Sequence, residues 1–178
     1  MEVVSVQTDQ TPVTPLPSAQ IAPLPAPEHP RGNFSVKVDD KGRLKLPPPF
    51  LKYLAGLEEK VVFVTTTDEE TARIYPRSKW KEAEKWLTAE ERDPVAVERM
   101  WFLAYHWGQD SEVDEQGRIL LPTELRRELN LTKEPVWICP QRTGRFDVLT
   151  KAMYEEKLKA ARAYKAPDND MAKMQKMP

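Results

Sequence analysis

A ten-residue stretch occurs twice in this chain. Val38-Asp39-Asp40-Lys41-Gly42-Arg43-Leu44-Lys45-Leu46-Pro47 returns as Val113-Asp114-Glu115-Gln116-Gly117-Arg118-Ile119-Leu120-Leu121-Pro122, every position shifted by 75 residues. Each copy carries an Asp, three residues, then an Arg preceded by Gly, and each closes on Leu-Pro. A duplication at fixed offset constrains the fold more than any local propensity, because the chain must accommodate two equivalent units.

One copy has a direct physical reading. Phe34, Val36 and Val38 alternate with Ser35 and Lys37, and Leu44 and Leu46 alternate with Arg43 and Lys45, the period of strands with one buried face. A short polar loop whose Gly tolerates positive φ joins them, which predicts a hairpin over 34–46 and a second over 110–121. Asp39 and Arg43 flank the first loop, Asp114 and Arg118 the second, so each pair is placed to bond across its mouth. Gly42 and Gly117 shape the turns.

After Pro47-Pro48-Pro49, the apolar residues Phe50, Leu51, Tyr53, Leu54 and Leu57 predict a short helix with Gly56 as its stop. Val61–Thr65 reads as a strand, Asp68-Glu69-Glu70 as a turn and Arg73-Ile74-Tyr75 as a strand. A helix follows, with Ser78 as expected N-cap and Trp80, Ala83 and Leu87 along one side. Thr88-Ala89-Glu90-Glu91 has capping-box spacing, but Asp93-Pro94 is the stronger start signal for a helix running to Gly108. That helix is apolar on more than one side, which predicts burial between layers or a subunit contact; His106 on it reads as a core or interface residue. Leu125 and Leu129 then stand where Phe50 and Leu54 stood, Val136–Cys139 matches Val61–Val64 after a one-residue contraction, and Tyr154 in a closing helix over 151–164 matches Trp80.

Each copy therefore reads β-β-α-β-β-α, an α+β, β-rich unit too small to bury much surface alone. Two units sharing one core make a pseudo-dimer. The expected divisions are a Pro-rich arm over 1–32, a first repeat over 33–92, a linker helix over 93–108, a second repeat over 109–164 and a frayed tail over 165–178. The arm holds seven of the seventeen prolines and reads as disordered or polyproline-like.

Charge and composition exclude several functions. With 27 Lys and Arg against 28 Asp and Glu, net charge is −1 and the pI about 6.2, so any nucleic-acid contact must be a local patch multiplied by oligomerisation. One Cys and two His rule out an internal disulfide and a Cys/His zinc site; no cofactor or metal is expected. No apolar run approaches a membrane span, and the opening residues lack a basic patch followed by an apolar core, so no secretory signal is expected. Asp39, Asp40, Asp114 and Glu115 lie beside cations, which keeps them ionised rather than poised for acid–base chemistry. No nucleophile elbow or phosphate-cradling loop accompanies them, so an enzyme is not expected.

The paired Asp-x-x-Gly-Arg loops with Leu-Pro closure, supported by Asp93-Pro94-Val95 and Glu98-Arg99, resemble the MraZ family of bacterial regulators over about residues 33–164. The resemblance implies two AbrB/SpoVT-type domains forming a pseudo-dimeric double-psi, swapped-hairpin barrel with flanking helices. It implies a sequence-specific DNA-binding transcriptional regulator, a repressor of the division and cell-wall gene cluster. It further implies a ring-shaped homo-oligomer on tandem promoter boxes, cytoplasmic and nucleoid-associated. Carried onto this chain, Lys41, Arg43 and Arg118 would touch DNA. Gln116 stands in place of Lys41 in the second loop.

The charges predict unequal loops. Between 37 and 45, Lys37, Lys41, Arg43 and Lys45 oppose two carboxylates, whereas between 112 and 120 Arg118 alone opposes three. Because cations supply phosphate affinity by releasing counterions, the first loop should dominate, with Lys45 joining Lys41 and Arg43. Asp39 and Asp114 would orient their arginines. A second reading, an oligomeric scaffold or antitoxin-like module holding a protein partner, would be favoured by loops buried at subunit contacts.

Overall fold

The computed structural model describes residues 27–89 and 92–164. Most of the Pro-rich arm, the acidic end of the Thr88–Glu91 capping box and the tail from 165 lie outside these residues. The described chain is α+β. Its elements run β1 (Phe34–Val36), β2 (Arg43–Lys45), α1 (Pro48–Gly56), β3 (Val61–Thr65), β4 (Ala72–Pro76), α2 (Arg77–Leu87) and α3 (Pro94–Trp107). The second repeat follows with β5 (Gln109–Glu112), β6 (Arg118–Leu120), α4 (Thr123–Glu128), β7 (Val136–Pro140), β8 (Phe146–Thr150) and α5 (Lys151–Ala163).

Most strands pair across the two repeats, and only β3·β4 and β7·β8 pair within one. A six-stranded antiparallel sheet has the order β1-β7-β8-β4-β3-β5, and β2 and β6 form a separate two-stranded ribbon. Four of the six ladders, β1·β7, β2·β6, β3·β5 and β4·β8, join one repeat to the other. The two expected hairpins are thus corrected. Each loop makes its turn, but within the first only the isolated bridge Val38↔Leu44 remains. The strands on either side leave for different sheets, where each pairs with the other repeat, as suits strands whose lone hairpin would be marginally stable.

The one-residue contraction is visible in the pairing. Phe34 stands opposite Ile138, whereas Gln109, its equivalent at the 75-residue offset, stands opposite Val64, 74 positions before Ile138. Inward-facing Val62, Val64 and Ile74 then match Val136, Ile138 and Val148, all essentially without exposure. They pack on Leu44 and Ile119 from the ribbon, on Leu46 and Leu121 just after its strands, and on Phe50, Leu54 and Leu125 from α1 and α4. Phe50 of the first repeat meets Phe146 of the second edge-on, ring centroids 4.4 Å apart; burying each ring is worth about 1.5–3 kcal/mol.

The outer face of the sheet carries the helices. Phe63 of β3 lies 4.6 Å from Trp80 of α2, and the equivalent Trp137 of β7 stacks on Tyr154 of α5 at 3.9 Å. Helix α2 begins at Arg77 rather than at a Ser78 cap, because the Glu59 carboxylate accepts the Ser78 N–H at 2.9 Å. The Asp93 cap of α3 is as expected, accepting the Val95 N–H at 3.1 Å. Burial of α3 is not: it packs through Ala104, whose carbonyl accepts the Thr65 hydroxyl, while Val95, Phe102, Tyr105 and His106 are exposed. The left-handed residue after α1 is Glu58, φ 57°, rather than Gly56. Residues 27–31 lie along α1, with His29 5.2 Å from Tyr53.

Candidate functional site

The Asp-x-x-Gly-Arg spacing closes a tight loop by side-chain chemistry. In the first copy the Asp39 N–H donates to the Arg43 carbonyl (2.9 Å) and the Gly42 N–H to the Asp39 carbonyl (2.8 Å). Oδ1 of Asp39 accepts the backbone N–H of Lys41 (3.0 Å) and of Arg43 (2.8 Å). Its Oδ2 accepts Nε of Arg43 at 2.8 Å and lies 2.7 Å from Nη2. The second copy repeats this: Oδ1 of Asp114 accepts the N–H of Gln116 and Arg118, both at 2.9 Å, and Oδ2 meets Nε and Nη2 of Arg118 at 2.8 and 2.7 Å. The arginine hydrogen bonds first, then the backbone donors, hold both carboxyls below the usual range. Each arginine is thereby fixed in one pose, its Nη1 edge left free of the aspartate.

The two arginines end on the same surface. In the β2–β6 ribbon Arg43 pairs with Leu120, Leu44 with Ile119 and Lys45 with Arg118. Leu44 and Ile119 are buried in the core, so strand alternation turns Arg43, Lys45, Arg118 and Leu120 to the opposite, solvent side. Arg43 and Arg118 are diagonal neighbours, about 7–8 Å apart at Cα. Their side chains keep 30% and 23% of their exposure, against a sealed burial that would have excluded ligand contact. Lys45 directly faces Arg118, a like-charge neighbour offset by the Asp114 carboxylate that already holds that guanidinium.

The loops are not raised tips. Gly42 and Gly117 are buried, with φ of +81° and +74°, and each lies on a helix of the opposite repeat. A side chain at 42 would collide with the Arg126 guanidinium of α4, and one at 117 with Leu51 of α1. Arg126 and Leu51 are themselves equivalents, 75 positions apart. The clefts beside the loops differ accordingly. That by the first loop, 480 Å³, is lined by Asp39, Asp40, Thr123, Arg126 and Arg127; that by the second, 900 Å³, by Leu51, Leu54, Glu58, Glu112, Asp114 and Glu115.

All the residues singled out from sequence therefore gather on or beside one ribbon. Lys41 is exposed at the first turn, Gln116 at the second, and the charges of the two loops pool on one face instead of standing apart. Arg126 was missed. The only sequence trace was its place 75 residues after Leu51, which says nothing of its lying under Gly42. Among the described residues no three His, Cys, Asp or Glu are arranged to hold a metal, and no helix is long and apolar enough to cross a membrane.

The chain is similar to a known protein family along most of this architecture. The family model of the MraZ protein, described as antitoxin-like, matches residues 31–100 and 108–166. The transcriptional regulator MraZ of Acidobacterium capsulatum is 36% identical over 106 residues, covering 60% of this chain and 73% of its own. That of Legionella pneumophila strain Corby is 36% identical over 129 residues, 71% of this chain and 83% of its own. That of Mycolicibacterium vanbaalenii is 38% identical over 107 residues, 59% and 71% of the two chains.

Proposed function

From the chain's membership of the MraZ family, we propose that it is a transcriptional regulator that binds promoter DNA with the solvent face of the β2–β6 ribbon. The observation carrying this reading is the strand exchange, which sets Arg43, Lys45 and Arg118 on one face. A two-stranded ribbon fits the roughly 12 Å major groove, and three residues at about 3.4 Å each match some three base-pair steps. With Nε and Nη2 of Arg43 held by Asp39, the outer guanidinium edge is presented to guanine O6 and N7. Arg118 does the same from the other strand. Lys41 and Lys45 contact phosphate, and Asp39, Asp114, Gly42 and Gly117 hold the loops in shape.

A ribbon about 10 Å by 10 Å offers on the order of 100 Å², far below the roughly 600–1,000 Å² of a single DNA-binding module. Tight binding therefore requires several copies acting together. Hence the fuller proposal: the exchanged strands close a swapped-hairpin barrel, copies assemble in a homo-oligomeric ring, and the ring represses the division and cell-wall genes by reading tandem boxes, at the nucleoid. The test is a footprint on the region upstream of the protein's own gene. Protection at repeated boxes, lost in Arg43→Ala, is the expected result. Unchanged protection with Arg43→Ala, or a single box bound as tightly as the array, refutes it.

A further inference from the structure

Arg126 is a cation beside the ribbon with no basic counterpart in the other repeat. At the equivalent position the first repeat has Leu51, and both side chains lie beneath the glycine of the opposite repeat's loop. Arg126 is tethered by neutral acceptors: its Nε donates to the Leu121 carbonyl and its Nη2 to the Thr123 hydroxyl, both at 3.0 Å. Among the described residues no carboxylate lies within 4.0 Å of it. Of its neighbours in the 480 Å³ cleft, Asp39 is held by Arg43, Arg127 pairs with Glu124 at 3.1 Å, and Asp40 is the remaining acidic rim residue. Nη1 lies against the Gly42 backbone, at the end of the ribbon where Arg43 and Lys41 also stand. A guanidinium fixed in orientation, neutralised by no acid and half-buried at the margin of a cationic face suits a phosphate oxygen.

We propose that Arg126, lent by the second repeat to the first repeat's loop, clamps a backbone phosphate of the duplex beside the ribbon. The inference rests on the DNA-binding reading above. It makes the two ends of the ribbon unequal, with a phosphate clamp under the first loop and an apolar, acid-rimmed cleft under the second. The contact positions the duplex and carries no base preference.

The experiment uses full-length wild type, Arg126→Gln and Arg126→Lys, with fluorescence anisotropy on a labelled duplex from the upstream region and on a scrambled duplex, between 50 and 200 mM salt. Loss of one phosphate contact lowers the slope of log affinity against log salt by about one for each subunit engaged. Per contact, that salt step then costs wild type about 3.5-fold more affinity than Arg126→Gln. Arg126→Gln is expected to weaken both duplexes by the same factor with the lower slope, and Arg126→Lys to keep the wild-type slope. A wild-type slope in Arg126→Gln, or a loss confined to the upstream duplex, overturns the clamp while leaving DNA binding standing. Wild type that binds neither duplex overturns the DNA reading and the clamp with it.

Discussion

Shortening Leu44 and Ile119 to alanine, singly and together, tests the strand exchange on which the site depends. The two residues are directly opposed in the ribbon, are 0% and 1% exposed, and come from different repeats. Each truncation in a core packed on all sides should cost about 2–5 kcal/mol. For a chain of this size a loss of about 3 kcal/mol lowers the melting temperature by roughly 6–12 °C. The informative quantity is the double-mutant cycle, measured by urea unfolding at one protein concentration, since self-association would otherwise shift the midpoint. Residues sharing one cavity couple by about 0.5–3 kcal/mol, because the second truncation enlarges a void the first has already opened. If the chain instead folded as two independent hairpins, Leu44 and Ile119 would be remote and their losses would add to within about 0.3–0.5 kcal/mol. Additivity at that level, with each single loss of normal size, refutes the exchanged ribbon and the shared cationic face with it.

Three further outcomes are expected. The depressed Asp39 and Asp114 carboxyls should stabilise the loops fully above the ordinary carboxylate pKa, and that contribution should fade only as pH falls through their lower folded values. Carbonyl-carbon NMR should thus find both still ionised where exposed carboxylates have already protonated; titration at ordinary values would disprove the Arg-locked geometry. In a gel-shift titration Arg43→Ala should abolish promoter binding and Arg118→Ala weaken it less, since Lys41 and Arg126 crowd the Arg43 end; equal losses would show that the ends contribute alike. The thiol of Cys139, buried and pushed up to about 11 by desolvation, should resist iodoacetamide at pH 8 in the native protein and react once it is unfolded in urea; rapid native labelling would contradict the packing of β7.

Much of this fold is written in spacing. The 75-residue offset, the alternation around each glycine and the Asp93-Pro94 start of α3 all signal their elements directly. Alternation specifies which face of a strand is buried but not which strand lies alongside, so Phe34 and Leu44 read equally well as partners in one hairpin and as members of two sheets. The same ambiguity hid the site's layout. Arg43, Lys45 and Arg118 are identifiable as cations of two loops, yet their meeting on one face follows from the β2–β6 pairing alone. The exposed flank of α3 is half legible for a related reason: an apolar helix promises a partner without naming one, and of the residues of α3 only Ala104 is fully covered.

The cross-repeat ladders also bear on how the molecule is made. Phe34 must wait for Ile138, 104 residues downstream, which at a synthesis rate of about 5–20 residues per second is a delay of roughly 5–20 seconds. Throughout that interval the nascent first half presents bare strand edges to the ribosome surface and to sister chains on the same message. A neighbouring chain's second half carries the same partner strands, so the order of synthesis sets pairing within a chain in competition with pairing between chains.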